Sequence, residues 1–183
     1  FIRKDNNPWK KGDKLVQRDL AKTLKRISKY GRDGFYTGPV ADLIVAEMKR
    51  GNGLISLEDL KNYLSVYRDH VSGTYNGHEV ISMGPPSSGG ALLVNMMNML
   101  ENYPVDSLGW NSSDYIHLLT EVERRAYADR AEHMGDSDFW DVPVGMITSK
   151  EYATHRISDI NLEKATPSEA VSASGAPGYE SRE

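Results

Sequence analysis

The sequence predicts an α+β segment, mostly helical, with one β-hairpin near its centre. Three observations predict it. Residues 71–75 and 79–83 are short β-type runs separated by Asn76 and Gly77, a pair that tolerates the positive φ angles of a tight antiparallel turn. Apolar residues at helical spacing fill the stretches on either side, punctuated by Gly, Pro, Asn and Ser. A 39% hydrophobic content over 183 residues is enough for a core of its own, so one domain is the default.

Residues 1–12 read as a polar opening loop through Asn6-Asn7-Pro8, with Trp9 pinning it to the surface. Residues 13–70 read as the helical part. Asp13 is expected to cap a first helix whose Leu20, Ala21, Leu24 and Ile27 share one face and whose Arg18, Lys22, Lys25 and Arg26 share the other, with Gly31 as the stop. The basic face reads as solvated helix surface in preference to an anion site. Residues 34–39 form a turn that places Pro39 at the first position of a second helix, carrying Val40, Leu43, Ile44, Val45 and Met48 up to Gly51. Ser56 and Asp59 approximate a capping box for a short third helix through Leu64. Glu58 and Asp59 read as first-turn acids favoured by the helix dipole, not as a catalytic pair.

Residues 71–161 hold the hairpin and further helices. Gly84, Pro85 and Pro86 stop the second strand, and Ser87 or Ser88 can accept from the free N–H groups of a helix starting near Gly89 or Gly90. Leu92, Leu93, Met96, Met97, Met99 and Leu100 give that helix little polar relief, which predicts burial on most sides and an end at Asn102, before Pro104. Residues 111–114 then cap a long helix to about Met134, with Tyr115, Leu118, Leu119, Val122 and Ala126 inward. Asp129 near its end reads as an ion-pair partner of Arg125 or Arg130. A last helix is expected over 148–159, and residues 162–183 read as an extended or mobile tail of small residues.

The formal charge of −4 supplies no broad basic surface, so neither nucleic acid nor an anionic membrane is favoured as a partner. With no Cys, disulfides, thiolate metal sites and a cysteine nucleophile are excluded. No apolar run approaches the roughly 20 residues that span a bilayer, so membrane insertion of this segment is not expected. The five histidines are scattered without a His-x-x-x-His pair, and Asp136, Ser137 and Asp138 resemble only the first ligands of a calcium loop, lacking its glycine and closing glutamate. No metal and no cofactor is expected. Ser87 and Ser88 sit at a strand-to-helix elbow, yet Pro85 and Pro86 stand where the hydrolase elbow Gly-x-Ser-x-Gly needs glycine, which favours a helix cap. A phosphate cradle at the same elbow lacks the following Gly-Lys-Ser/Thr. The residues taken alone assemble no complete active site, and they leave open a non-catalytic helical interaction domain and a self-contained serine hydrolase using Ser88.

Read together, the motifs resemble the C-terminal part of the large subunit of γ-glutamyltranspeptidases, also called glutathione hydrolases. The blocks that carry the resemblance are residues 17–24 (QRDLAKTL), 34–36, 56–59, 84–93 (GPPSSGGALL), 126–130 (AYADR), 135–144 and 178–183 (GYESRE). Gly84 departs from the pattern, where the family often has a third proline. The resemblance implies an N-terminal nucleophile hydrolase: a layered αββα sandwich completed by a small subunit, whose N-terminal Thr, released by self-cleavage of a precursor, attacks γ-glutamyl amides such as glutathione and transfers the γ-glutamyl group to water, amino acids or peptides. It also implies that this chain is inactive alone. The nucleophile, the oxyanion-hole glycines and most glutamyl-binding groups belong to the small subunit, and the arginine for the substrate carboxylate lies upstream of Phe1, so no catalytic or substrate-binding residue is assignable here. Glu183 is at most a processing-site residue, immediately before the expected Thr. Relatives acting on poly-γ-glutamate or acylated antibiotics fit equally. The start at Phe1, without Met or signal pattern, reads as a piece of something longer, and a periplasmic or extracellular location is expected from the resemblance only.

Overall fold

The computed structural model describes Arg3 and residues 6–174, and divides the chain into two compact units, Phe1–Val66 and Tyr67–Glu183. Glu183 and the block 178–183 lie outside the described residues.

In the first unit, α1 (Arg18–Tyr30), α2 (Asp33–Tyr36), α3 (Pro39–Arg50) and α4 (Leu57–Asn62) follow one another. Its small core gathers Ala41, Val45 and Leu60 with Tyr36 and Ile44 beside them. Gly34 is required by a close approach, since a Cβ there would stand 2.4 Å from the Arg26 carbonyl oxygen. The Ser56–Asp59 capping box is formed, with Ser56 N–H donating to Asp59 over 2.8 Å and Asp59 N–H donating back over 3.2 Å. Arg32 donates to the carbonyls of Leu60, Lys61 and Tyr63, satisfying the C-terminal end of α4. Pro39 takes the first position of α3, as predicted.

Asp13, the turn at 34–39 and the end of α4 differ from expectation in this unit. Asp13 does not cap α1: the helix starts at Arg18, four residues too far on, and Asp13 instead accepts from Arg3 over 2.6 Å and from Lys10 N–H over 2.9 Å. The amphipathic pattern of α1 is present but buries none of its residues among the described ones, Leu20 and Leu24 being about half exposed. Residues 33–36 form a helical turn where a plain turn was expected, and α4 ends at Asn62, not Leu64.

In the second unit, β1 (His70–Tyr75) and β2 (His78–Met83) pair antiparallel, Tyr75 opposite His78, around Asn76 and Gly77 at φ 47° and 79°. Next come α5 (Gly89–Leu100), α6 (Ser113–His133), α7 (Val144–Ile147) and α8 (Lys150–Arg156). Helix α5 is central: it packs against both strands and against α6, α7 and α8. Its Leu92 and Met99 join Leu118, Val122, Ala126 and Ala153 in the main core. Gly73 lets β1 lie directly on α5, because a Cβ there would stand 2.5 Å from a Val94 methyl. Met96 and Leu100 are only partly buried against this core, so burial of α5 is uneven. Ile81 and Met83 on the other face of the hairpin are exposed.

The helix ends differ from expectation for local reasons. Helix α5 closes at Leu100 because Asn102 turns back and donates to the carbonyls of Asn98 and Met99. The last helix expected over 148–159 is α8, shorter at both ends: Ser149 caps its start at Lys150, accepting from Tyr152 N–H over 3.1 Å, and α7 is a separate helical turn just before it. Ser112 caps α6 in the same way through Tyr115 N–H, within the predicted stretch.

Candidate functional site

Helix α6 carries Glu121, Arg125 and Asp129 at intervals of four, which stacks them along one face. All three are buried, at 1% exposure or less. Buried charge is costly unless paired, so their partners decide what this face is. Arg125 donates to Glu121 Oε2 over 2.7 Å and to Asp159 Oδ1 over 2.7 and 3.0 Å. Asp129 Oδ2 accepts from Arg156 Nε over 3.1 Å, and Arg156 also donates to the Arg125 carbonyl over 3.0 Å. Two arginines thus hold three acids, Glu121, Asp159 and Asp129, and Arg156 fastens α8 to α6.

Sequence reasoning paired Asp129 with Arg125 or Arg130, and the structure corrects it. Arg125 turns back one helical turn to Glu121, and Arg130, one residue along, points to another face and donates to Ser88 Oγ over 3.0 Å. Arg156, 27 residues away, takes the place. Desolvation pushes the Asp129 carboxyl above its ordinary range despite the opposing Arg156 charge. Burial also pushes Glu121 up, but the Thr166 hydrogen bonds and Arg125 outweigh it and hold this carboxyl below its usual value. Desolvation pulls Arg125 down, and its bonds to Glu121 and Asp159 leave it net raised. Tyr152, beside Asp129, is raised chiefly by burial.

The elbow serines are accounted for separately. Ser87 Oγ accepts from Gly89 N–H over 3.3 Å, so it performs the expected cap, while Ser88 makes no cap bond. Among the described residues, no histidine or carboxylate hydrogen-bonds either hydroxyl, which leaves both without the base a serine nucleophile needs. Nearby, Arg68 grips Asp138 through both guanidinium nitrogens at 2.6 and 2.9 Å, which occupies that acid of the calcium-like run. This pair stands beside an open cleft of about 380 Å³ lined by Tyr67, Arg68, Asp69, Pro85, Ser137, Val142 and Val144. Among the described residues that line it, no nucleophile is paired with a base. Sequence reasoning missed Arg156, Asn95 and Tyr152 as members of the buried network; only the four-residue spacing of Glu121, Arg125 and Asp129 was visible as a signal.

The second unit is a helix-and-hairpin fold of α+β type in which Glu121, Arg125, Asp129 and Arg156 are paired in its interior. Comparison with known proteins gives its kind. The γ-glutamyltranspeptidase family model matches residues 1–182. The chain is 44% identical over 180 residues to the glutathione hydrolase proenzyme of Escherichia coli (strain K12), covering 98% of this chain and 31% of that protein. It is 40% identical over 158 residues to the acylase ACY 1 proenzyme of Pseudomonas sp. (strain SE83), covering 86% of this chain and 28% of that protein. The crystal structure of Helicobacter pylori γ-glutamyltranspeptidase superposes with a TM-score of 0.84 at 43% identity, over 94% of this chain and 50% of the other. The chain belongs to the γ-glutamyltranspeptidase family. It spans about a third of the length of the curated relatives it matches.

Proposed function

We propose that this chain is the C-terminal part of the large subunit of a γ-glutamyltransferase, a glutathione hydrolase whose nucleophile lies on a small subunit following Glu183. The observation that carries the reading is 44% identity, over 98% of the chain, to a proenzyme of that name. In this reading the N-terminal Thr hydroxyl of the small subunit attacks the γ-glutamyl carbonyl, its proton passes through the Thr α-amine to the departing amine, and water or an amino acid then releases the acyl group. The present residues supply support: the hairpin joins a sheet of the partner chain within an αββα sandwich, and α5 with α6 forms a helical layer against it. The engagement of Ser87, Ser88 and Asp129 in structural bonds agrees with a catalytic centre outside this chain. The location in this reading is periplasmic or extracellular.

A second reading, an amidase acting on acylated antibiotics, is favoured by the similarity to the acylase proenzyme. One assay separates the two. Together with its small subunit the chain releases the amine from a γ-glutamyl anilide, and alone it releases none. Activity confined to acylated β-lactams would transfer the assignment to the second reading, and anilide release by the chain alone would contradict both.

A further inference from the structure

Asparagine is followed by glycine twice in the chain, at Asn52-Gly53 after α3 and at Asn76-Gly77 in the hairpin turn. Both asparagines are exposed, and both hold the left-handed conformation, at φ 54° and 47°. Glycine has no side chain to keep its backbone nitrogen from the preceding carboxamide, so each pair is a candidate for internal attack. The surroundings of the two nitrogens differ. Gly53 N–H donates to the Met48 carbonyl over 2.7 Å, closing the end of α3, and a Cβ on Gly53 would stand 2.6 Å from Met48 Sδ. A Cβ on Gly77 would meet nothing within 4 Å, and among the described residues the Gly77 N–H has no partner. The Asn76 N–H, in contrast, donates to Glu101 Oε1 over 2.8 Å, and Glu101 is paired with Lys150. The turn is thus anchored to α5 and α8 on one side of Asn76 and open on the other.

We infer that Asn76 is a site of spontaneous modification to aspartate and isoaspartate, and that the end of α3 protects Asn52 from the same reaction. The Gly77 nitrogen loses its proton to solvent and attacks Cγ of Asn76. A bond from nitrogen to Cγ forms as the bond from Cγ to Nδ2 breaks, and the carboxamide nitrogen leaves as ammonia. Water then opens the cyclic imide at one of its two carbonyls. Opening at Cγ leaves aspartate, and opening at the α-carbonyl leaves isoaspartate, in which the side-chain carbon has become main chain. Water is the only co-reactant. Isoaspartate lengthens the backbone inside a turn whose ends, Tyr75 and His78, are paired in register, and either product puts a new carboxylate on the residue that Glu101 holds. Attack at Gly53 first requires its bond to Met48 to open, so Asn76 is expected to convert about fivefold faster than Asn52.

The experiment incubates the enzyme as purified in mildly alkaline buffer. Mass spectrometry follows the peptides that hold the two sites, and an isoaspartyl methyltransferase identifies the rearranged product. A parallel incubation in concentrated urea removes the helix end and the hairpin together. The native protein is expected to show the fivefold preference for Asn76, with isoaspartate among the products, and the two rates are expected to converge in urea. Equal native rates or faster conversion at Asn52 would overturn the inference, as would an unchanged Asn76 in native protein while the unfolded chain converts. A preference that persists in urea overturns it as well, because the sequence and not the fold would then set the rates.

Discussion

Arg156 Nε and Asp129 Oδ2 lie 3.1 Å apart, both buried, 27 residues apart in sequence, and they lock α8 to α6. Removing one member leaves the other as uncompensated buried charge. Arg156→Met is expected to cost about 3–5 kcal/mol by urea denaturation, and adding Asp129→Leu to it is expected to recover much of that. Independent, additive losses from the two substitutions would show that the pair is not coupled.

The elbow between β2 and α5 depends on Gly90 for space. A Cβ there would stand 2.1 Å from the Met83 carbonyl oxygen, whereas at Gly89 it would meet only Ser87 Oγ at 3.5 Å. Gly90→Ala is expected to destabilise by about 1–3 kcal/mol or more through overpacking, and Gly89→Ala to be close to neutral. Thermal melts of the two variants check this; equal midpoints would remove the close approach as the reason for Gly90.

Core packing gives a third contrast. Met99 is fully buried in the main cluster, so Met99→Ala should cost about 2–5 kcal/mol. Met96, partly exposed, should cost less, and Lys22→Ala on exposed α1 should be near neutral in the same denaturant series. A small, equal effect at all three positions would contradict the burial of α5.

Glu121 and Asp129 make opposite contributions to acid stability. The folded Glu121 carboxyl is held below its ordinary value, so its contribution is complete above about pH 4.3 and is lost as the pH falls through the folded value. Asp129, raised by burial, acts with the other sign: its ionisation erodes stability as the pH rises from about 3.9 through its folded value. Urea midpoints followed from pH 6 to pH 3 should therefore fall less steeply on the acid side for Glu121→Gln than for the parent. A steeper fall in the variant would reverse the assigned shift.

Local chemistry made much of this architecture legible in the sequence. Asn76-Gly77 fixed the hairpin turn, Ser56 and Asp59 their capping box, and Pro39 the first position of α3, because each acts on its own neighbours. What stayed hidden depended on distant segments. Asp129 offered two nearby arginines, and nothing local revealed that Arg156 would displace them. Asn95 and Asn98, polar positions on an otherwise apolar helix, are both buried, Asn95 donating to Asp129 and Asn98 to the Thr148 carbonyl, and nothing beside them in the sequence points to those partners. The amphipathic stripe of α1 was readable, but not that the described residues leave it uncovered. For the candidate site, the ordered motif blocks carried the family, and the residues themselves yielded a scaffold and no active centre.

The central claim, that this chain is one part of a processed two-chain enzyme, is tested most directly by intact-mass analysis under denaturing conditions of the natively purified protein, with N-terminal sequencing of every chain present. The account predicts a second polypeptide that begins with Thr and co-purifies with this one, in a sample that releases amine from a γ-glutamyl anilide. A single polypeptide continuing uncut through Glu183 in a fully active sample would contradict it.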